Sequence, residues 1–296
     1  MKLGTNDIGS VYLGTNAVQS VYLGSNLVYS AFSSGLLDTY TGAAAAYSLR
    51  RLSIAYTGSA IRVRRAVGSP SEKDIGFVGE NLDVADLESF CSGTDGFVQT
   101  WYDQSGNGYD ASQTTDANQP QIVSSGSVLT LTGVGSARPI LRFDGINDSF
   151  NFSSISVSQF TSFYPQKKGV DADRSAWFAF GSSATTPYTP IIFGTSGIFI
   201  ANNVKSTNNS TYNNNNYILM SGYINSSNDG FIQINNSAIS LPSTFSGGGS
   251  NPLNSINNRS GSFSKCDVPE MILYDFDNSA NVSAINTNIN DFYSIY

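Results

Sequence analysis

Residues 96–111 read Gly-Phe-Val-Gln-Thr-Trp-Tyr-Asp-Gln-Ser-Gly-Asn-Gly-Tyr-Asp-Ala, the pattern of a strand followed by a tight turn. The first part, from Phe97 to Tyr102, is rich in β-branched and aromatic residues, which favour a strand with at least one buried face. The second part, from Asp103 to Gly108, ends that strand, because Asp and Asn bond nearby backbone and glycine permits positive φ. Residues 138–151 repeat this design around an Asp-Gly-Ile-Asn-Asp turn.

The rest of the chain alternates short β-like segments with turns rich in Gly, Asn and Ser. Helices are predicted at 41–52, at 84–91 with Asp83 as N-cap, and at 281–296, where apolar residues recur at helical spacing. Polar runs at 202–216 and 243–258 are predicted to be loops. This density of strands predicts an all-β sandwich with a few short helices. Its further strands are predicted at 60–67, 128–131, 140–143, 175–180, 191–193, 198–201, 217–225, 230–235 and 269–274.

Composition and charge narrow the range of functions. The chain of 296 residues has a net charge of −7 and only 15 Lys and Arg residues, which is a poor basis for nucleic-acid binding. It contains no histidine, so Ser-His-Asp and Cys-His catalytic sites are excluded. The N-terminus has no apolar core of a signal peptide, and no run reaches the ~18 apolar residues of a membrane span. We therefore expect neither a nucleic acid nor a membrane as partner.

The first thirty residues contain an internal repeat with a period of ten. Leu-Gly-Thr-Asn at 3–6 and 13–16 recurs as Leu-Gly-Ser-Asn at 23–26, so each copy predicts a short strand and a turn. Such a small unit buries too little apolar surface to be stable alone. We assign residues 1–32 as an attachment segment, separate from a main domain at 38–296; the alternative is a β-extension packed on that domain. The predicted attachment residues are Tyr12, Val18, Tyr22 and Val28.

Several motifs resemble known families. Residues 101–108, Gln119-Pro120 and Leu-Arg-Phe-Asp-Gly at 141–145 are similar to the opening of laminin-G-like, concanavalin A-like jelly rolls. A block comprising residues 56–58, 61–66, 74–76 and 89–91 resembles the first part of the catalytic domain of α-L-arabinofuranosidases, itself a concanavalin-type sandwich. The same block is similar to jelly-roll modules of bacteriophage virion proteins. The resemblance, which covers about residues 40–150, implies a concanavalin A-like jelly roll with a small N-terminal β-repeat.

The resemblance also bears on catalysis. Retaining glycosidases need a carboxylate nucleophile and a carboxylic acid about 5 Å apart. The family's nucleophile segment matches residues 178–184 best, which places Ala184 at the glutamate position. Its acid/base loop corresponds to residues 251–260, which contain no Asp or Glu. A carboxylate pair would have to come from Asp103, Asp110, Asp144, Asp148, Asp267, Glu270, Asp275 or Asp277, and turn chemistry accounts for Asp103, Asp144 and Asp148.

Ligand binding is the remaining chemistry. Sugar binding needs exposed aromatic rings beside amides, and the candidates are Trp101, Trp177, Tyr188 and Tyr212, with burial in strands as the alternative for both tryptophans. Asp103 with Asn107, or Asp144 with Asp148, has the composition of a Ca²⁺ site, but neither has the spacing of a known calcium loop. We therefore expect no metal and no other cofactor. Whether Cys91 and Cys266, the only cysteines, form a bridge stays open.

These observations lead to the hypothesis of a non-enzymatic bacteriophage virion protein on the particle surface, as a fibre or decoration protein. Residues 1–32 would bind other virion proteins, and the jelly roll would bind host-surface glycans, with a homo-oligomer such as a trimer as the expected assembly. The alternatives are a glycoside hydrolase related to α-L-arabinofuranosidases and a particle-stabilising decoration protein without a ligand.

Overall fold

A computed structural model describes residues 34–168 and 216–296, apart from positions 70, 136, 225–226, 228–229, 240–250, 259–260 and 262. In residues 1–33 and 169–215 it describes only short backbone strands. Within these residues the helices are α1 (Leu36–Thr39), α2 (Val84–Phe90) and α3 (Val282–Tyr293), with 3-10 turns at Asp116–Asn118 and Ser279–Asn281.

The strands, in chain order, are β1 (Lys2–Leu3), β2 (Asn6–Asp7), β3 (Val11–Leu13), β4 (Asn16–Val18), β5 (Ser20–Leu23), β6 (Asn26–Ser30), β7 (Ala45–Ser48), β8 (Ile61–Arg65), β9 (Glu72–Ile75), β10 (Phe77–Val78), β11 (Asn81–Leu82), β12 (Gly96–Trp101), β13 (Ala111–Ser112), β14 (Gln121–Ser124), β15 (Ser127–Val128), β16 (Leu141–Asp144), β17 (Phe150–Val157), β18 (Phe160–Lys168), β19 (Phe180–Gly181), β20 (Ile191–Gly194), β21 (Gly197–Ile200), β22 (Val204–Lys205), β23 (Tyr217–Ile224), β24 (Gly230–Ile234), β25 (Ser237–Ile239), β26 (Asn251–Ile256), β27 (Lys265–Val268) and β28 (Glu270–Tyr274).

Two antiparallel groups of strands form the sandwich, which confirms the predicted all-β class. One group has the order β25–β24–β23–β18–β28–β7. The other is built around β12, which pairs with β8, β13 and β14. It continues through β8 to β9, through β14 to β16 and β27, and through β13 to β17, β26 and β19. β27 also pairs with the end of β18, so the two groups are joined at that end.

Alternation along β18 shows how the layers are stacked. Phe160 and Tyr164 lie in the large core between the two groups of strands, together with Trp101 of β12. Phe163 points the other way, into a second cluster that contains Ile285 and Ile289 of α3. The period of two in the strand therefore separates a sheet–sheet core from a sheet–helix core. The predicted C-terminal amphipathic helix is confirmed, and it covers the outer face of the first group.

A buried ion pair between Arg50 and Glu270 connects α3 to the end of β7, the first strand of the sandwich. Arg50, which follows β7, donates from Nε to Glu270 Oε2 at 2.8 Å and from Nη2 to Glu270 Oε1 at 3.2 Å. The same Nη2 donates to Asn288 of α3 at 2.9 Å, and the hydroxyl of Tyr293 donates to Glu270 Oε2 at 3.2 Å. Arg50 is 2% exposed and Glu270 is fully buried, so the two charges compensate each other away from water.

Three sequence-based element predictions are wrong or incomplete. The alanine-rich segment 41–52, predicted as a helix, contains β7, which pairs with β28 and is buried on both faces. Its helix propensity is overridden because small side chains let it pack between two layers. The loop predicted at 243–258 contains β26, which pairs with β17. β18 was not predicted; Pro165 lies in its middle, and proline is unfavourable in a central strand.

Pro165 is tolerated in β18 because the neighbouring strand is interrupted beside it. β28 pairs with β18 up to Phe163, and β27 pairs with it from Lys167 onward. β27 and β28 are separated by Pro269, which also has no N–H to contribute. The two prolines, which have no N–H to donate, therefore both lie at the gap between β27 and β28 where β18 has no partner on that side. No hydrogen bond between strands is lost there.

Several other local predictions are confirmed, but the loop predicted at 202–216 contains β22, only Val128 of the strand predicted at 128–131 is in a strand, and most of the strand predicted at 175–180 lies outside the described residues. Strands form within 60–67 and 96–102, and α2 begins after Asp83, whose Oδ1 accepts the N–H of Asp86 at 3.0 Å. Each repeat at the N-terminus forms an antiparallel hairpin: β1 with β2, β3 with β4, and β5 with β6. The side chains of Tyr12, Val18, Tyr22 and Val28 lie outside the described residues, so their attachment role stays a prediction. In the described part of the chain no helix is long and apolar enough to cross a bilayer.

Candidate functional site

The turn that opens at Asp103 is a structural clamp. Asp103 is 4% exposed, and four donors saturate its carboxylate. Oδ1 accepts from the N–H of Ala46 and of Ser105, both at 2.9 Å, while Oδ2 accepts from the Ser105 hydroxyl at 2.7 Å and the N–H of Tyr109 at 3.1 Å. Because no lone pair remains for a substrate, this aspartate holds the backbone together rather than doing chemistry.

The next residues of the same turn bind the segment around β7. Gln104 accepts the N–H of Leu52 at 2.8 Å and donates to the carbonyls of Ser48 and Arg50, both at 3.0 Å. Asn107 donates from Nδ2 to the carbonyls of Ala43 and Ala44 at 3.0 Å. The Asp-Gln-Ser-Gly-Asn motif thus satisfies backbone groups of a segment that would otherwise be buried without partners. Asp103 and Asn107, which were weighed as a possible Ca²⁺ pair, thus both bind backbone groups of this segment.

Of the four aromatic residues predicted to bind glycans, the structure describes only Trp101. Trp101 is fully buried, with Tyr47 and Phe150 rings 5.8 and 6.4 Å away, so it offers no face to a sugar and the core interpretation holds. Trp177, Tyr188 and Tyr212 lie outside the described residues, and so does Ala184. Cys91 and Cys266 are buried free cysteines, which answers the question of a bridge. Among the described residues, no group of three or more Asp, Glu, Cys or His side chains could hold a metal ion.

Most of the other predicted acids have committed partners. Asp267 accepts two bonds from Arg142, at 2.8 and 2.9 Å, and a third from the hydroxyl of Tyr217 at 3.3 Å. Glu270 is held by Arg50, as described above. Asp110 accepts the N–H of Asp103 at 2.9 Å, and Asp277 accepts the N–H of Ser279 at 3.0 Å. These contacts account for each carboxylate structurally.

The turn between β16 and β17 is different. Asp144 is exposed, and its Oδ1 accepts the N–H of Ile146 at 2.7 Å and of Asn147 at 3.3 Å. Asp148 is 5% exposed, and its Oδ2 accepts the N–H of Asp144 at 2.8 Å. No cationic side chain in the described part of the chain pairs with Asp148. One turn therefore presents two carboxyl groups, one in water and one taken out of it.

The surroundings of Asp148 come from three strands that meet at this end of the sandwich. Asn257, just after β26, is buried in the left-handed conformation with φ of 58°. Its Nδ2 donates to the carbonyl of Asp148 at 2.9 Å and to that of Ser264 at 3.0 Å, and its Oδ1 accepts the N–H of Ser264 at 2.9 Å. Cys266 of β27 is close enough for the charge of Asp148 to raise the pKa of its thiol.

Gln166 of β18 is a further buried polar residue, on a strand that pairs with β27. It follows Tyr164 by two positions, so its side chain points into the same core between the sheets. The strand pairs with β27 through Lys168 and Cys266, two residues further on. Gln166 is 2% exposed, yet its Nε2 has no hydrogen-bond partner. A buried amide donor without an acceptor costs about 1–3 kcal/mol, so such a group calls for an explanation. We call Asp148, Gln166, Asn257 and Cys266 the polar cluster.

The electrostatics of the polar cluster favour a neutral carboxyl. Burial raises the pKa of Asp148 to about 7; the N–H of Asp144 opposes this rise, and the charge of Asp144 adds to it. Burial likewise raises the pKa of Cys266, with the charges of Asp267 and Asp148 acting in the same direction. Burial therefore favours the protonated form of Asp148 at higher pH than an exposed aspartate would hold it.

Sequence reasoning missed Gln166 and Asn257. Gln166 would stand out as a polar residue at an inward position of a strand, but β18 itself was not predicted. Asn257 lies in a segment assigned to a loop, where asparagine is common. Asp148 was considered as an acid, but its turn motif explained it equally well.

Comparison with known proteins agrees with this fold. The family described as "Alpha-L-arabinofuranosidase B, catalytic" matches residues 37–133. A crystal structure of an arabinofuranosidase complexed with arabinofuranosyl-α-1,2-xylobiose is 17% identical, with a TM-score of 0.63 over 88% of this chain and 66% of that chain. A GH54 α-L-arabinofuranosidase soaked with a cyclic sulfate inhibitor is 18% identical, with a TM-score of 0.61 over 86% of this chain and 64% of that chain. No curated protein matches the chain.

These matches define an arabinofuranosidase-like domain, and the chain spans about two thirds of the length of the two enzymes. They overturn the prediction of a non-enzymatic virion structural protein, because the matching family is a catalytic domain and the solved structures are glycosidases. None of the comparisons supports a phage, fibre or decoration context. The assignment of Ala184 to the nucleophile position lies outside the described residues.

Proposed function

We propose that this protein is a glycoside hydrolase that cleaves α-L-arabinofuranosides. The observation that carries the proposal is the match of residues 37–133 to an arabinofuranosidase catalytic domain. The similarity of fold over 86–88% of the chain to two such enzymes supports it. The clamp formed by Asp103, Gln104 and Asn107 belongs to the matched segment, and it gives the proposed enzyme a rigid frame.

The chemistry of glycoside hydrolysis fits the features of the polar end of the sandwich. Glycosidases use two carboxyl groups, of which one must be protonated at the working pH and the other ionised. In the turn between β16 and β17, Asp148 is buried and Asp144 is exposed. Environment, rather than residue type, therefore sets two carboxyl groups of this turn apart.

The test is hydrolysis by the purified full chain. It is incubated with 4-nitrophenyl α-L-arabinofuranoside and with arabinofuranosyl-α-1,2-xylobiose, and the release of 4-nitrophenol and of arabinose is measured. Saturable release of both products is expected. The controls are 4-nitrophenyl β-D-xylopyranoside as a pyranoside substrate and a mock preparation from cells that lack the gene. A folded chain, verified by circular dichroism, that releases no arabinose above the mock preparation would contradict the proposal.

A further inference from the structure

The three hairpins at the N-terminus stand apart from the strands of the sandwich. Among the strands that the structure describes, β1–β2, β3–β4 and β5–β6 each form a two-stranded sheet of their own, and none of the six pairs with the large sheet. A lone hairpin is marginally stable in water, and an edge without a partner strand presents free N–H and C=O groups. We infer that a second copy of this chain covers these edges, so that the protein self-associates by strand pairing between its N-terminal hairpins.

The register of the second hairpin shows which backbone groups are free. Leu13 pairs with Asn16 across a separation of two residues, so these two residues exchange both of their N–H···O bonds. The next pair along, Tyr12 and Ala17, is then a non-hydrogen-bonded pair, whose N–H and C=O groups point away from the partner strand. Each edge of this hairpin therefore presents a donor and an acceptor at its centre.

The third hairpin has the same arrangement. Leu23 pairs with Asn26 across the same separation, and Tyr22 pairs with Leu27 beside them. Because the sequence repeats every ten residues, the free backbone groups recur at equivalent positions of the two hairpins. Two copies of the segment thus present edges with the same spacing, and an antiparallel pair of identical edges satisfies the free groups of both strands.

Charge distinguishes the first hairpin from the other two. Lys2 and Asp7, which pair across its strands, are the only charged residues in 1–30, and they hold the positions that Tyr12 and Ala17 hold in the second hairpin. Charged residues on an edge strand protect it from pairing with another chain. The second and third hairpins have neither a charge nor a proline in their sequence, so their edges favour such pairing.

A second copy is the partner that these edges fit. Residues 8–37 contain no charged residue, so the segment offers no electrostatic complement to a charged partner. It offers instead a repeated pattern of backbone groups, which another chain with the same period matches at two hairpins at once. The contact is assigned to β6, the longest of the six strands, and to β4, its equivalent one repeat earlier.

Sedimentation equilibrium of the full chain tests the association. At tens of micromolar the wild-type chain should have at least twice the monomer mass of 31.6 kDa. The double variant Ala17→Pro with Leu27→Pro removes one free N–H from β4 and one from β6, because proline has no N–H, and it should sediment as a monomer. Thermal unfolding of the sandwich should be the same in both proteins.

The matched control is Leu27→Ala beside the native Ala17. It removes the same side chain as the proline variant but keeps both N–H groups, so it should associate as the wild type does. This control separates pairing through the backbone from a contact made by the side chain.

A cysteine variant keeps the hairpins intact and reports the pairing directly. Ala17 is the central residue of β4, so in an antiparallel pair of two β4 strands it lies opposite its counterpart, with the Cα atoms about 5.5 Å apart. Ala17→Cys should therefore form a disulfide between two chains on mild oxidation. Ser124→Cys, at an exposed position of β14, should not, and the native Cys91 and Cys266 are buried.

A wild-type chain that sediments as a monomer would overturn the inference. The same conclusion follows if the proline variant associates like the wild type, or if Leu27→Ala is monomeric. Cross-linking of Ala17→Cys no stronger than that of Ser124→Cys would also contradict pairing between two β4 strands.

Discussion

The turn at Asp103 and the turn at Asp144 have nearly the same composition but opposite bonding. In the first, Asp103 accepts four hydrogen bonds, and its neighbours Gln104 and Asn107 bind five further backbone groups. In the second, Asp148 accepts one, although it is almost as buried as Asp103. The first turn lies against a strand whose backbone supplies donors, whereas the second closes over a core of side chains. Burial of an aspartate therefore says little until its donors have been counted.

The largest expected effect is in the first turn. In Asp103→Asn an NH₂ group replaces one carboxylate oxygen and faces the donors that bonded that oxygen in the wild-type protein. One or two charge-assisted hydrogen bonds are therefore lost. We expect the free energy of unfolding to fall by about 5 kcal/mol, measured by urea denaturation at pH 7. Asp95→Asn, with one bonded oxygen, should change stability by less than ~1 kcal/mol. A loss for Asp103→Asn no greater than that of this control would remove the distinction between the turns.

The second turn should respond in the opposite direction. Because the pKa of Asp148 is raised in the folded protein to about 7 from 3.8, the folded state binds its proton more tightly than the unfolded state. The stabilising contribution of the protonated Asp148 is therefore fully present below about pH 4 and is lost as the pH rises toward 7. Above pH 7 the contribution of this group no longer changes. Asp148→Asn removes this loss, so it should stabilise the protein by about 3–4 kcal/mol more at pH 8 than at pH 4.

The measurement is chemical denaturation of both proteins at pH 4, 6 and 8. Asp95→Asn serves again as the control, and its difference from wild type should stay flat over this range. A stability difference between Asp148→Asn and wild type that does not grow with pH would show that Asp148 is ionised in the folded state.

The smallest effects come from the glycines of the two turns. Gly106 and Gly145 both have positive φ, of 89° and 81°, but a Cβ on Gly106 would meet open space, whereas one on Gly145 would lie 2.9 Å from the backbone nitrogen of Lys265. Gly106→Ala should cost about 1 kcal/mol for the left-handed backbone alone. Gly145→Ala should cost about 2–3 kcal/mol, since a clash with β27 adds to that strain. Thermal unfolding of both variants measures the two losses of stability. Equal losses would mean that β27 moves enough to relieve the clash with the new Cβ at position 145.

The sequence predicted those helices and strands that are determined by residues close together in the chain. The cap at Asp83, the alternation in β12 and the helical spacing of Ile285 and Ile289 are all legible within a few residues. β7 was missed because its four residues have two buried faces, a property of the neighbours rather than of the segment. β18 was missed because the break at Pro269 that accommodates Pro165 lies a hundred residues further along the chain.

The candidate site was less predictable than the fold. The turns Asp-Gln-Ser-Gly-Asn at 103–107 and Asp-Gly-Ile-Asn-Asp at 144–148 are both rich in Asp, Asn and Gly, so turn chemistry explains Asp103 and Asp148 equally well. What separates them is whether Ala46 and Tyr109 supply N–H groups to the one and whether any cation reaches the other. Those are tertiary facts. Trp101 illustrates the converse, since its place in a strand of large apolar residues was enough to favour burial over a binding surface.

The Arg50–Glu270 pair has a consequence for biosynthesis. The carboxylate that neutralises the guanidinium and the Asn288 amide are synthesised more than two hundred residues after Arg50. β7 likewise has no partner strand until β28 has left the ribosome. The first strand of the sandwich and a charge destined for its interior must therefore stay in water until β28 and α3 have left the ribosome, so the sandwich closes only after these later segments have been made.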